Sequence, residues 1–244
     1  YDYNKDGADD LLVLSENYYG IIDVKNNKDL VDPMGKANAL SGIIPGHWTA
    51  YAVVTVAPIL GTDQPQIVLS HSYTMASYVL DLEGWPVWHY GASRDGTSRN
   101  LAAVADMDAD GRIELVTARG DGLLMAFDAT PTNEKCPMCP KDAPLTKVNH
   151  AGHVRWEMKL TPPVSDFASM DLDGDGKVEA LCGAGDGKLY AIEEKDGKPG
   201  ELWTVDFGRT AGSPVLADLD GDGTAEILVT TEDGRLRALK SAVN

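Results

Sequence analysis

The 244 residues predict an all-β chain, a β-propeller of four-stranded antiparallel blades. Three observations carry this expectation. A nine-residue acidic pattern recurs four times, starting at Asp2, Asp106, Asp171 and Asp218. A second turn follows three of those copies at a constant offset, at Asp121-Gly122, Asp186-Gly187 and Asp233-Gly234. Apolar runs of strand length flank both turns, and a run containing tryptophan follows. Four strands in a repeat of roughly 40–50 residues make a propeller blade. About five such blades fit in the chain.

Each copy of the pattern places an oxygen-bearing side chain at positions 1, 3 and 5, glycine at 6 and a further carboxylate at 9. The sets are Asp2, Asn4, Asp6, Gly7 and Asp10; Asp106, Asp108, Asp110, Gly111 and Glu114; Asp171, Asp173, Asp175, Gly176 and Glu179; and Asp218, Asp220, Asp222, Gly223 and Glu226. Calcium takes roughly six to eight oxygens at about 2.3–2.6 Å. Alternating carboxylates in a tight loop converge on one point, and glycine at position 6 permits the sharp bend. Position 7 offers a backbone carbonyl, from Ala8, Arg112, Lys177 or Thr224. The expectation is about four Ca²⁺ sites.

The first half of the pattern is shared with the EF-hand, which needs a bidentate Glu at position 12 between two helices. Position 12 is Val13, Thr117, Cys182 and Val229. None of these can serve, and Leu11-Leu12-Val13-Leu14 and Ile227-Leu228-Val229-Thr230 favour strand. Each loop is therefore expected at the turn of a β-hairpin. Asp, Asn and Gly also make plain turns, but a plain turn needs no carboxylate at position 9.

Taken in order, the blades are expected at about 1–48, 49–92, 99–160, 163–208 and 211–244. In the first, the second turn falls at Asn17, before Tyr18-Tyr19-Gly20. The second holds a degenerate copy, Pro58 to Leu69, with Gln66 at position 9 and Pro58 and Leu60 in place of the first two ligands. It is expected to keep its hairpin and to have lost its metal. Third strands are Leu123–Phe127, Leu189–Ile192 and Leu236–Leu239. Fourth strands carry Trp88, Trp156 and Trp203. Copies start 47 residues apart between Asp171 and Asp218 but 65 apart between Asp106 and Asp171, so an insertion is expected at 129–152. The first blade lacks most of its first strand and the last stops after its third. The array is expected to be part of a larger propeller that a neighbouring segment or chain completes, because open arrays leave exposed edges. The chain opens inside a repeat, with no initiator Met or signal peptide, and reads as a piece of something longer.

Net charge is −17. Positions 1, 3, 5 and 9 of the four loops supply fifteen of the 38 acidic residues, and four Ca²⁺ would bring the charge to −9. Such acidity argues against a nucleic-acid partner. No run of 18 or more apolar residues is present, so no membrane span is expected. Loops of this affinity class need the millimolar calcium found outside the cell, which favours an extracellular, cell-surface or periplasmic location.

The pattern Asp-x-Asp/Asn-x-Asp-Gly-x-x-Asp/Glu followed by an apolar strand resembles FG-GAP (VCBS, integrin-α-like) repeats. Gly187-Lys188-Leu189-Tyr190-Ala191-Ile192 followed by Trp203 also looks like PQQ-type propeller repeats. The resemblance implies that calcium stiffens each loop and is not catalytic. It says little of function, since such propellers serve adhesion proteins, surface assemblies, lyases and oxidoreductases.

Arg119-Gly120-Asp121 spells an adhesion tripeptide, but its equivalents are ordinary hairpin turns. Cys136 and Cys139 are open to a local disulfide, free thiols or a zinc knuckle with His150 and His153. Cys182 reads as a small core residue. The recurrent tryptophans read as packing between blades, with cofactor stacking as the alternative. His47, His71 and His89 have no partner evident in the sequence. The leading expectation is a non-catalytic binding or assembly module with a protein or glycan partner. The alternative is a propeller enzyme, a polysaccharide lyase or a PQQ-like oxidoreductase, using residues such as His89, Tyr90, Arg94 and Arg99.

Overall fold

The computed structural model describes residues 1–15, 18–30, 52–59, 65–71, 76–80, 86–91, 102–128 and 153–240. Every regular element among them is a strand. One unit holds two sheets. The first is β1 (Leu11–Ser15), β2 (Tyr18–Asp23) and β3 (Lys28–Asp29). The second is β4 (Ala52–Ala57), β5 (Gln66–His71), β6 (Ala76–Leu80) and β7 (Pro86–Gly91).

The other unit holds three sheets. They are β8 (Ala103–Ala105), β9 (Glu114–Ala118), β10 (Leu123–Asp128) and β11 (His153–Lys159); β12 (Ala168–Met170), β13 (Glu179–Gly183), β14 (Lys188–Lys195) and β15 (Lys198–Asp206); and β16 (Val215–Ala217), β17 (Glu226–Thr230) and β18 (Leu236–Lys240). Strands in every sheet are antiparallel and adjacent in chain order, as propeller blades require.

The acidic loops occupy equivalent places. Position 9 opens the second strand, opposite the last residue of the first: Ala105 faces Glu114, Met170 faces Glu179 and Ala217 faces Glu226. The degenerate copy keeps this register, with Ala57 facing Gln66. The hairpin thus survives where the first two ligand positions are apolar. Each Asp-Gly turn forms as expected. Gly122, Gly187 and Gly234 donate back to Arg119, Ala184 and Thr231, and Asp121, Asp186 and Asp233 accept from the N–H two residues on.

Period-two alternation builds the core. The whole of β13 is buried, because both of its faces are covered. Ala180 and Cys182, with Tyr190 and Ile192 of β14, pack with Ala103, Val116, Ala126 and Trp156 of the preceding sheet. Leu181, Leu189 and Ala191 face the other way, onto Ile227 and Val229 of β17. The sheets also meet backbone to backbone: a Cβ on Gly183 would stand 2.3 Å from the Ala211 carbonyl oxygen. The Cys182 thiol is fully buried, and burial pushes its pKa up to about 12. In the last sheet Val215 and Leu236 are more than half exposed.

Candidate metal centres

The loop backbone is organised by its own carboxylates. Asp171 accepts from Gly174 N–H at 2.7 Å and Gly176 N–H at 3.0 Å. Asp218 accepts from Gly221 and Gly223 in the same way, at 2.7 and 2.9 Å. In the two other loops Asp2 serves Asp6 and Gly7, and Asp106 serves Asp110 and Gly111. The side chains at position 5 accept from the N–H of position 7, namely Ala8, Arg112, Lys177 and Thr224. Position 6 is a left-handed glycine throughout, with φ between 84° and 88°. Position 4 is left-handed too. It is glycine in two loops, but Lys5 (60°) and Ala109 (58°) adopt the same conformation in the others.

The carboxylate at position 9 closes each loop by accepting the N–H of position 2. The pairs are Tyr3–Asp10 (2.8 Å), Met107–Glu114 (2.9 Å), Leu172–Glu179 (2.7 Å) and Leu219–Glu226 (2.8 Å). Among the described residues, three sets of carboxylates then converge: Asp106, Asp108 and Glu114; Asp171, Asp173 and Glu179; and Asp218, Asp220 and Glu226. One oxygen from each member lies within 4.8 Å of the others. That spacing suits an ion about 2.4 Å from each oxygen, and all-oxygen donors suit a hard cation.

The electrostatics point the same way. Burial pushes the Glu179 carboxyl up to about 7 against the Leu172 hydrogen bond, and the neighbouring Asp173, Asp171 and Asp175 push it further. Glu114 is likewise raised to about 7, chiefly by burial, although Met107 and Arg155 pull it down. Glu226 Oε1 is buried and accepts no hydrogen bond. A cation at these points would relieve the repulsion and complete the orphaned oxygen.

Side chains that the sequence did not flag also enter the loops. Arg155 on β11 donates to Asp108 and Glu194 at 2.5 Å each and to Glu114 at 2.9 Å. Glu194 on β14 is buried and also accepts the Trp156 indole N–H at 2.7 Å. Lys240 on β18 donates to Asp222 at 2.6 Å and Asp220 at 3.0 Å, and its ammonium stands 3.8 Å from Glu226. In the first loop Asp23 takes hydrogen bonds from Asn4 and Asn26, and Asn26 also reaches Asp6. The Asn26 bonds hold the Asp23 carboxyl below its ordinary value. These partners come from strands and turns remote in sequence, so no local motif signals them.

The remaining candidates fall as follows. Arg119 and Asp121 bond to each other, at 2.6 and 3.2 Å, within their turn. Trp156 is buried between sheets and Trp203 packs against the second core cluster. Cys136, Cys139, His150, His47, Arg94 and Arg99 lie outside the described residues.

Residues 171–229, which contain the third and fourth loops, match the FG-GAP-like repeat family. A comparison with curated proteins finds no match. Among solved structures, the V. cholerae biofilm matrix protein Bap1 is similar at 20% identity with a TM-score of 0.58, over 100% of this chain and 37% of that one. BamB from Moraxella catarrhalis is similar at 15% identity with a TM-score of 0.54, over 96% of this chain and 56% of that one. This chain therefore spans less than two thirds of either. Both are propeller-like folds, and the likeness is one of fold. The chain is an all-β array of propeller-type blades, and its residues 171–229 carry an FG-GAP-like repeat.

Proposed function

We propose that this chain is a calcium-stabilised propeller module of an extracellular or periplasmic protein, acting in binding or assembly and not in catalysis. The observation that carries the reading is the convergence of carboxylate oxygens from positions 1, 3 and 9 in three successive blades. The FG-GAP-like match over two of those loops supports it. The position-5 side chains and position-7 carbonyls would complete each shell, and the first loop would contribute Asp2, Asn4, Asp6, Ala8 and Asp10. A bound ion would tie the turn between the first two strands of a blade into one rigid unit. The partner is a protein or a glycan, and a neighbouring segment or chain extends the array beyond β18. The exposure of the apolar side chains Val215 and Leu236 supports that extension.

The test is thermal unfolding of the full chain in excess EGTA and in millimolar calcium. A ligand that binds only the native state at about 100 times its Kd adds roughly 2.7 kcal/mol per site. A rise of several degrees is expected. Superimposable melting curves would overturn the metal reading.

A further inference from the structure

The three clustered loops are not equivalent, and the difference lies in two side chains outside the nine-residue pattern. The residue across the hairpin from position 9 is one. Asp128 faces Glu114, and continuing the Ala180–Ile192 and Leu11–Ile22 registers by one step puts Glu193 opposite Glu179 and Asp23 opposite Asp10. In the last sheet the same place, opposite Glu226, belongs to Lys240. Three carboxylates and one ammonium thus occupy one structural position.

The second side chain sits at a β-bulge. Where the third strand meets the tryptophan strand, the register skips one residue just before the tryptophan. The skipped residue is Val87 in the second sheet and Leu202 in the fourth. In the third sheet it is Arg155, whose guanidinium reaches both Asp108 and Glu114. Buried Glu194 of the next sheet holds it there.

Each substitution delivers a fixed positive charge to the oxygens that a divalent ion would use. The loop at Asp171–Glu179 receives neither, since its equivalents are Leu202 and Glu193. Among the described residues, the cations beside this loop are Lys177, whose ammonium stands 3.8 Å from Asp175, and Lys195, which is held 2.7 Å from Glu193 outside the converging oxygens and feels Asp173 and Asp175 only through space. We propose that Arg155 and Lys240 are resident cations that replace or weaken the divalent ion at 106–114 and 218–226, and that calcium binds preferentially at 171–179. This rests on the calcium reading above and refines it.

The resident cations differ in strength. Arg155 is 18% exposed and hydrogen-bonds the position-9 carboxylate directly. Lys240 is 52% exposed and leaves Glu226 Oε1 without a hydrogen bond. The order of calcium affinity is therefore 171–179, then 218–226, then 106–114.

The test is calorimetric titration of the full chain with calcium, comparing variants with the parent so that the first loop cancels. Asp173→Asn is expected to remove the tightest site. Lys240→Glu, which installs the residue type found at Glu193, is expected to tighten one weak site at least tenfold. Arg155→Leu, which installs the residue found at Leu202, is expected to do the same for another. Arg155→Leu strands buried Glu194 and is checked for folding by circular dichroism. Lys240→Glu changes an exposed side chain and decides the matter alone if the first variant is unfolded. Equal affinities in the parent, with no tightening in Lys240→Glu, would sink this inference and leave the calcium reading standing. No calcium uptake by any variant would remove both.

Discussion

The backbone N–H of Leu172 donates to Oε2 of Glu179 at 2.7 Å, so one oxygen of that carboxylate closes the loop while the carboxylate also joins the converging cluster. The two duties are separable. Glu179→Gln keeps an acceptor for Leu172 and loses the charge. Its calcium affinity is expected to fall at least tenfold by calorimetry. Its melting temperature in EGTA at pH 8 is expected to equal or exceed the parent's, because repulsion from Asp171, Asp173 and Asp175 is relieved. A variant that melts well below the parent in EGTA would show that the charge itself holds the loop closed.

The raised carboxyls set the direction of the pH response. Glu114 and Glu179 move from an ordinary 4.5 to about 7 in the metal-free fold, with burial the largest cause. Between those values the folded chain holds protons that the unfolded chain has released. Stability without metal therefore declines as pH rises from about 4.5 to 7 and levels off above. Asp121 and Asp233 are held far below their usual range by Arg119 and Arg237, so their contribution changes only at lower pH. Calcium competes with the protons, so the loaded protein should gain stability over the same window. Urea midpoints at pH 5, 6, 7 and 8 in calcium-stripped buffer check this, and a metal-free midpoint that climbs with pH would contradict it.

Glu194 holds Arg155 and Trp156 together across two sheets. Glu194→Ala removes both hydrogen bonds from a buried site, and a loss of about 2–4 kcal/mol is expected. Glu194→Gln keeps one acceptor for the indole and should cost about half as much. Urea denaturation followed by tryptophan emission measures both. A loss below about 0.5 kcal/mol in the alanine variant would mean that the network adds little.

Backbone geometry separates two kinds of glycine. A Cβ at Gly176 meets nothing within 4 Å, so Gly176→Ala carries only the cost of a left-handed alanine, about 1–2 kcal/mol. At Gly183 the Cβ would collide with the Ala211 carbonyl, so Gly183→Ala must push two sheets apart and should cost more. Ala109 already bears a left-handed conformation, and Ala109→Gly is expected to stabilise by roughly 0.5–1 kcal/mol. Equilibrium unfolding of the three variants ranks them.

The sequence was most readable where structure is local. The nine-residue loops, the Asp-Gly turns and the start of the second strand at Glu114, Glu179, Glu226 and even Gln66 follow from short-range spacing, because a hairpin turn is specified by the few residues that make it. The left-handed position 4 is not legible in the sequence, because Lys5 and Ala109 give no glycine signal there. The roles of Arg155, Glu194 and Lys240 are hidden for a different reason. Arg155 meets Glu114 from 41 residues away and Glu194 from 39. Arg155 and Glu194 meet through a bulge and the stacking of two sheets, and Lys240 reaches its loop through the cross-strand register opposite Glu226; none of these leaves a periodic mark in the chain.

Cys182 lies between two sheets, with its ionisation suppressed by burial. Thiol oxidation and disulfide exchange both proceed through the thiolate and need access to an attacking partner. This sulfur offers neither while the fold is intact. Labelling by an alkylating reagent at this position would therefore count opening events of the blade, and its rate would report how firmly the sheets are clasped.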